Sequence, residues 1–272
     1  MIMQVITNHA KKRLEAGELA LGMGIRQART VDIAHIAKTA GFDWLFIDME
    51  HNSMSVDTAA QICAAAMTAG ISPMIRVPGH EPFHATRLLD AGATGIVVPH
   101  VSTADEARRV VQACRFPGLG KRSIPGLLPQ VLFEAHPVAD VVAAINRETL
   151  LVAMIETLDG LENVDEIAAV PGIDALLVGC TDLAAEMGLT GQLGHARIAA
   201  AIDRVCAACA RHGKFAGFGG VYDEAIMASY VQKGGRLILS GSDLAFLMAG
   251  GRARTSMLRS VPLDSTSTTK TA

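Results

Sequence analysis

The chain has 272 residues, of which 50% are hydrophobic and 19% charged, so it carries enough apolar material for a large core and is not a disordered polypeptide. Twenty-four Lys and Arg against 27 Asp and Glu leave a formal charge of −3, which excludes a protein whose affinity rests on neutralising nucleic-acid phosphates. No apolar run approaches the roughly 18–20 residues of a membrane helix, Met1 to Gly17 has no export pattern, and five cysteines without a paired framework point to a reducing, cytoplasmic setting.

In chain order, short β-type runs are expected at Ala20 to Ile25, Trp44 to Met49, Ser72 to Val77, Gly95 to Pro99, Leu150 to Ile155, Ala175 to Val178, Phe215 to Phe218 and Arg236 to Leu239. Several are almost wholly apolar, as strands covered on both faces are. Helical spacing between them marks Val31 to Ala40, Val56 to Ala69, Pro82 to Ala91, Ala104 to Cys114, Leu161 to Ala168, Arg197 to Arg211 and Glu224 to Lys233. Eight β-then-α units in one chain predict a (β/α)8 TIM barrel spanning residues 1–263 as a single domain. The competing open doubly wound sheet would want a third glycine after Gly22-Met23-Gly24. The stretches Phe116 to Gln130 and Gly188 to His195 interrupt the alternation, and the Ser/Thr-rich tail 264–272 is expected to be disordered.

In a barrel of this kind chemistry gathers at the carboxyl ends of the strands. The second strand ends in Asp48-Met49-Glu50-His51, where carboxylates can tune a histidine as a base, or where Asp48 could simply cap a helix. The third ends in Arg76, which suits a substrate carboxylate or enolate oxygen, or an internal ion pair with Asp48 or Glu50. Glu156 tops the fifth strand and Asp182 follows the sixth, a carboxylate pair suited to one hard divalent cation, with helix capping as the alternative. Glycines at Gly217 to Gly220 and Ser240 to Asp243 could receive a phosphate or make ordinary turns and caps. His80, His84 and His100 lie near strand ends but lack a carboxylate partner in sequence; His9, His35, His136 and His212 read as surface or structural.

Taken together and in order, Gly41 to His51, Arg76-Val77, Leu88 to Ala93 including Asp90, Ile155-Glu156-Thr157 and Val178 to Leu183 resemble the HpcH/HpaI family of metal-dependent class II pyruvate aldolases. The resemblance implies a barrel whose last helix is exchanged between subunits, commonly a homohexamer built from dimers, using Mg²⁺, Mn²⁺ or Co²⁺. It implies Glu156 and Asp182 as metal ligands and His51 as general base, oriented by Asp48 and by Asp90 from a neighbouring subunit. Arg76 would steady the enolate oxygen, and Gly179, Thr181 and Asp182 would face the pyruvate carboxylate. The reaction implied is reversible cleavage of a 4-hydroxy-2-oxo acid to pyruvate, or a related 2-oxo acid, and an aldehyde. Two departures bear on substrate binding. Met154 stands where family members commonly have Gln, and Gly179-Cys180-Thr181-Asp182 replaces Gly-Pro-Ala-Asp.

Lys121 and Arg122 correspond to a region lining the aldehyde side in that family and suggest an anionic or hydroxylated acceptor. Competing readings are a malyl-CoA or citramalyl-CoA type lyase, for which Arg115, Lys121 and Arg122 would have to line a nucleotide channel, and a noncatalytic 2-oxo-acid-binding barrel. A Schiff-base aldolase is disfavoured because none of the seven lysines ends a strand.

Overall fold

The computed structural model describes residues 3–263; the tail 264–272 lies outside the described residues. Eight parallel strands, β1 (Ala20–Ile25), β2 (Trp44–Asp48), β3 (Ser72–Arg76), β4 (Gly95–Val98), β5 (Leu150–Ile155), β6 (Ala175–Gly179), β7 (Phe215–Gly219) and β8 (Leu237–Ser242), close into a barrel in sequence order. Around it run α1 (His9–Glu15), α2 (Ile33–Thr39), α3 (Val56–Ala69), α4 (Pro82–Asp90), α5 (Ala104–Cys114), α6 (Val138–Glu148), α7 (Leu158–Glu162), α8 (Val164–Ala168), α9 (Cys180–Glu186), α10 (Ala196–His212), α11 (Glu224–Gln232) and α12 (Asp243–Arg259).

Strand alternation divides the core in two. Ala20, Trp44, Phe46, Met74, Val97, Val152, Met154, Leu177 and Leu237 fill the barrel interior. Their neighbours Leu45, Ile47, Ile75, Ile96, Leu151, Leu176 and Ile238 face outward and bury against the helices. This two-sided burial explains why the strands read as unbroken apolar runs. Gly22-Met23-Gly24 lies within β1 rather than in a phosphate-binding turn. A Cβ on Gly22 would stand 2.3 Å from the Trp44 indole, so glycine there lets the ring cross the barrel, where its Nε1 donates to the Ala20 carbonyl at 3.1 Å.

The structure departs from the expected elements in several places, α9 and α12 among them. The expected helix from Leu161 to Ala168 is instead α7 and α8, broken at Asn163, whose side chain donates to the Ser102 carbonyl. Strand β8 extends to Ser242 through an irregular register against β1. Helix α6 begins directly after Pro137. Helix α1 seals the amino-terminal end of the barrel: the buried Asn8 side chain donates to the Thr94 carbonyl and accepts from the Ser72 hydroxyl.

Helix α12 is unlike the others in burying none of its residues, and Leu247 on it is 71% exposed.

Candidate active site

Alternation carries each strand's inward face up to the mouth. Trp44 and Phe46 point inward, and so does Asp48 above them; Met74 is followed by Arg76, and Met154 by Glu156. The parallel register places Asp48 beside Arg76. Arg76 Nε donates to Asp48 Oδ1 at 3.0 Å and Nη2 to Oδ2 at 2.7 Å, a bidentate fork. Its third nitrogen, Nη1, pairs with Glu50 Oε2 at 2.8 Å, and the guanidinium lies 5.0 Å from the Phe46 ring centre. The internal ion pair weighed for Arg76 therefore exists, with both candidate carboxylates at once. Burial pushes the Asp48 carboxyl up, but Arg76 and the backbone N–H groups of His51 and Glu50 outweigh it and hold it below 3.8.

Asp48 orients His51 through the loop rather than through the ring. Its Oδ1 accepts from the backbone N–H of Glu50 at 3.1 Å and of His51 at 3.3 Å. The carboxylate nearest the exposed imidazole is Glu50, with Oε2 3.7 Å from Nε2. Asp48 therefore caps no helix, and α3 is capped by Ser55.

Glu156 is buried at 1% exposure. One of its oxygens, Oε1, accepts from the His100 backbone N–H at 2.8 Å; Oε2 has no partner. Burial raises the Glu156 carboxyl; the His100 N–H and ring oppose that, and the nearby Glu50 and Asp182 charges add to it. Gly179, opposite, leaves room for this side chain, since a Cβ there would stand 2.3 Å from Oε2. Asp182 is exposed in the first turn of α9, which Gly179 and not Asp182 caps.

An orphaned buried oxygen, a second carboxylate and an all-oxygen donor set fit a hard divalent cation. Among the described residues no three His, Cys, Asp or Glu side chains converge as a closed metal cage, so a cation held by Glu156 and Asp182 would keep positions open for substrate.

These residues surround a cavity of about 240 Å³ lined by Arg26, Phe46, His51, Arg76, Met154, Gly179, Cys180, Thr181, Asp182, Gly219, Gly220, Tyr222 and Leu239. Of the residues singled out from sequence, His51, Arg76, Met154, Gly179, Thr181 and Asp182 come together here, with Asp48 and Glu156 against its wall.

Asp90 does not join them within one chain. Helix α4 runs back against the strands, which carries its last residue to the opposite end of the barrel, where Asp90 pairs with Arg122. Arg122 is itself buried, its guanidinium 4.3 Å from the Phe116 ring centre. Arg115 is also buried and tied to Asp174 and to the carbonyls of Gly172, Asn146 and Thr149. Neither of these two guanidinium groups lines the cavity of this chain, and neither is free to line a nucleotide channel.

Three contributors escaped the sequence reading. His100 was left without a carboxylate partner, yet its Nε2 lies 3.3 Å from Glu50 Oε1 and its Nδ1 3.4 Å from Glu156 Oε1. A positive φ of 52° turns it inward, which spacing along the chain does not reveal. Tyr222 enters from the loop after β7. Arg26 directly follows β1 and was legible by the same strand-end rule.

At the last two strands the capping role weighed as the alternative to phosphate binding is present. Asp243 already accepts from the backbone N–H groups of Arg26, Gln27 and Ala28 at 3.0, 2.9 and 2.7 Å, while Ser242 and Asp223 cap α12 and α11.

A closed eight-stranded barrel with a carboxylate pair, a guanidinium and a histidine at its carboxyl mouth defines a class of barrel enzyme whose cavity suits a small anionic substrate beside a divalent cation. The comparisons with known proteins narrow that class. The HpcH/HpaI aldolase/citrate lyase family matches residues 26–249, and the chain belongs to this family. It is 37% identical over 261 residues to the 4-hydroxy-4-methyl-2-oxoglutarate aldolase of Hapsidospora irregularis, covering 94% of this chain and 97% of that protein. It is 35% identical over 253 residues to a hydroxypyruvate/pyruvate aldolase of Roseobacter denitrificans, covering 90% and 95%. Among solved structures, the HpcH/HpaI aldolase from Desulfitobacterium hafniense superposes with a TM-score of 0.87 at 31% identity, covering 93% of this chain and 97% of that one.

Proposed function

We propose that this chain is a divalent-metal-dependent aldolase that reversibly cleaves a 4-hydroxy-2-oxo acid to pyruvate, or a related 2-oxo acid, and a carbonyl fragment. The observation that carries this reading is the unpartnered, buried Glu156 Oε2 beside Asp182, in a cavity that also holds His51 and Arg76. The names of the relatives support the substrate class.

Glu156 and Asp182 would hold Mg²⁺, Mn²⁺ or Co²⁺, which when bound acts as a Lewis acid toward the 2-oxo acid. Arg76 is pre-aligned by Asp48 and Glu50, so its positive charge is in place before any negative charge develops on the substrate oxygen. The backbone N–H groups of Thr181 and Asp182 are assigned the pyruvate carboxylate, with Gly179 and Met154 as the adjoining wall. His51 takes the proton of the C4 hydroxyl. The C4–O pair then closes the carbonyl of the leaving fragment, the C3–C4 bond breaks, and its electron pair forms the enolate. Protonation of C3 gives pyruvate.

Two outcomes test this. Pyruvate in D2O is expected to exchange its methyl protons with Mg²⁺ or Mn²⁺ present and to stop on chelation, followed by NMR; absence of exchange with any divalent metal overturns the reading. His51→Ala is expected to slow cleavage by about 10²–10⁴-fold while Mn²⁺ affinity, measured by calorimetry, stays within about twofold of the unmodified protein, since His51 contacts neither proposed ligand.

The same reading includes a homo-oligomer, a hexamer built as a trimer of dimers with α12 exchanged and Asp90 supplied to His51 by a neighbour. The wholly unburied α12 and the position of Asp90 on an outer flank support it. The five free thiols support a cytoplasmic setting.

A further inference from the structure

The cavity has two guanidinium groups in different states. Arg76 has three nitrogens paired with two carboxylates. Arg26 is nearly uncommitted. Its Nη2 donates to the His51 carbonyl at 3.3 Å, and its Nε comes no closer than 3.9 Å to Asp48 Oδ2, an oxygen already taken by Arg76. Nearly half of its side chain is exposed, and it lines the cavity with His51, Thr181 and Asp182.

Two features make this a built position rather than a stray surface charge. Alternation from Ala20 through Gly22 and Gly24 directs residue 26 to the inner side of the mouth. The Asp243 carboxylate then fixes the stem by accepting from the backbone N–H groups of residues 26 to 28, so the guanidinium projects from a pinned loop. Tyr222 also lines this cavity, close enough for the Arg26 and Arg76 charges to act on it. The acidic residues Glu156, Asp182 and Glu50 lie near one another, and Glu50 and Asp48 are matched by Arg76, which leaves Arg26 as the guanidinium with charge to spare. An anion approaching from solvent is therefore drawn to the Arg26 side, whereas a neutral carbonyl compound gains nothing there.

We propose that Arg26 is the acceptor-side anion anchor of this site, and that the carbonyl fragment joined to or released from pyruvate is a short oxo acid whose carboxylate this guanidinium binds. The proposal rests on the pyruvate-aldolase reading and names the substrate class of the same cavity. Contact between Arg26 and the His51 backbone sets the scale: the anchor lies beside the base that handles the hydroxyl at the new bond, so the carboxylate is close to the reacting carbonyl.

The test compares glyoxylate with glycolaldehyde as acceptors for pyruvate, in the unmodified protein, Arg26→Met and Arg26→Lys, with pyruvate methyl exchange read by NMR in the same samples. The ratio of kcat/KM for glyoxylate to that for glycolaldehyde is expected to fall roughly 100-fold in Arg26→Met, the size of one charge-assisted pair lost from a partly desolvated site. Arg26→Lys should recover part of the ratio, keeping the charge but not the fork. A ratio unmoved by Arg26→Met, with metal-dependent exchange still present, overturns the anchor and leaves the aldolase reading standing. Absence of both exchange and aldol product in the unmodified protein overturns that reading and the anchor with it.

Discussion

Arg76→Met is expected to lower cleavage and pyruvate methyl exchange together by about 10³-fold, because both pass through the same developing oxyanion. It also strands two carboxylates. Asp48 is 2% exposed, and removing one partner of a buried pair costs about 3–5 kcal/mol, which for a chain of this size lowers the thermal midpoint by roughly 10 °C. The pH dependence should change sign as well. In the unmodified protein the Asp48 carboxyl lies below 3.8, so its contribution to stability is full above that value and is lost as pH falls through the folded-state value. Without Arg76 the burial that pushes this carboxyl up is no longer outweighed; the variant then gains stability on acidification from the raised value down to 3.8, whereas the unmodified protein loses stability only below 3.8. Calorimetric unfolding between about pH 3 and 7 checks both effects. Arg76→Lys serves as the folded companion, expected to keep much of the stability and little of the exchange. An Arg76→Met protein with ordinary stability would mean that Asp48 and Glu50 are held by other donors.

Glu156→Gln should separate stability from function most sharply. Burial raises this carboxyl and Oε2 has no partner, so without metal the ionised side chain is a liability. A neutral amide of the same shape is expected to raise the metal-free midpoint by about 2–4 °C and to abolish the further rise expected of the unmodified protein with Mn²⁺. Methyl exchange should fall at least about 10³-fold with it. The linkage has a definite direction. A carboxyl raised on folding contributes stability below its ordinary value of 4.5 and loses it as pH rises through the raised value. Cation binding needs the ionised form, so Mn²⁺ affinity of the unmodified protein should increase across the same interval. Thermal shift with and without Mn²⁺ reads all of this, and a Glu156→Gln protein that still responds to Mn²⁺ would move the ligand role elsewhere.

The strands were legible because both of their faces are buried, which writes them as short apolar runs with abrupt polar ends. That same pattern exposed Asp48, Arg76 and Glu156, since each is the next inward position after a core residue. Legibility failed where partners lie far apart in sequence. Arg122 reads as a loop cation, and only folding shows it buried against Phe116 and Asp90. His100 follows its strand out of step and is brought in by one left-handed residue. Arg26 stands where the strand-end rule could have found it, but Gly22 and Gly24 suggest a turn there until the width of the Trp44 ring explains the first of them.

Trp44 and helix α1 close the lower end of the barrel, leaving the mouth as the route in and out. A well closed at its foot imposes a queue. With the carboxylate pair and Met154 assigned to the deeper partner and Arg26 to the shallower one, the carbonyl fragment departs before pyruvate in cleavage, and pyruvate enters before the acceptor in synthesis. Kinetics at steady state should therefore be ordered, with pyruvate as the product that competes with the intact oxo acid for free enzyme.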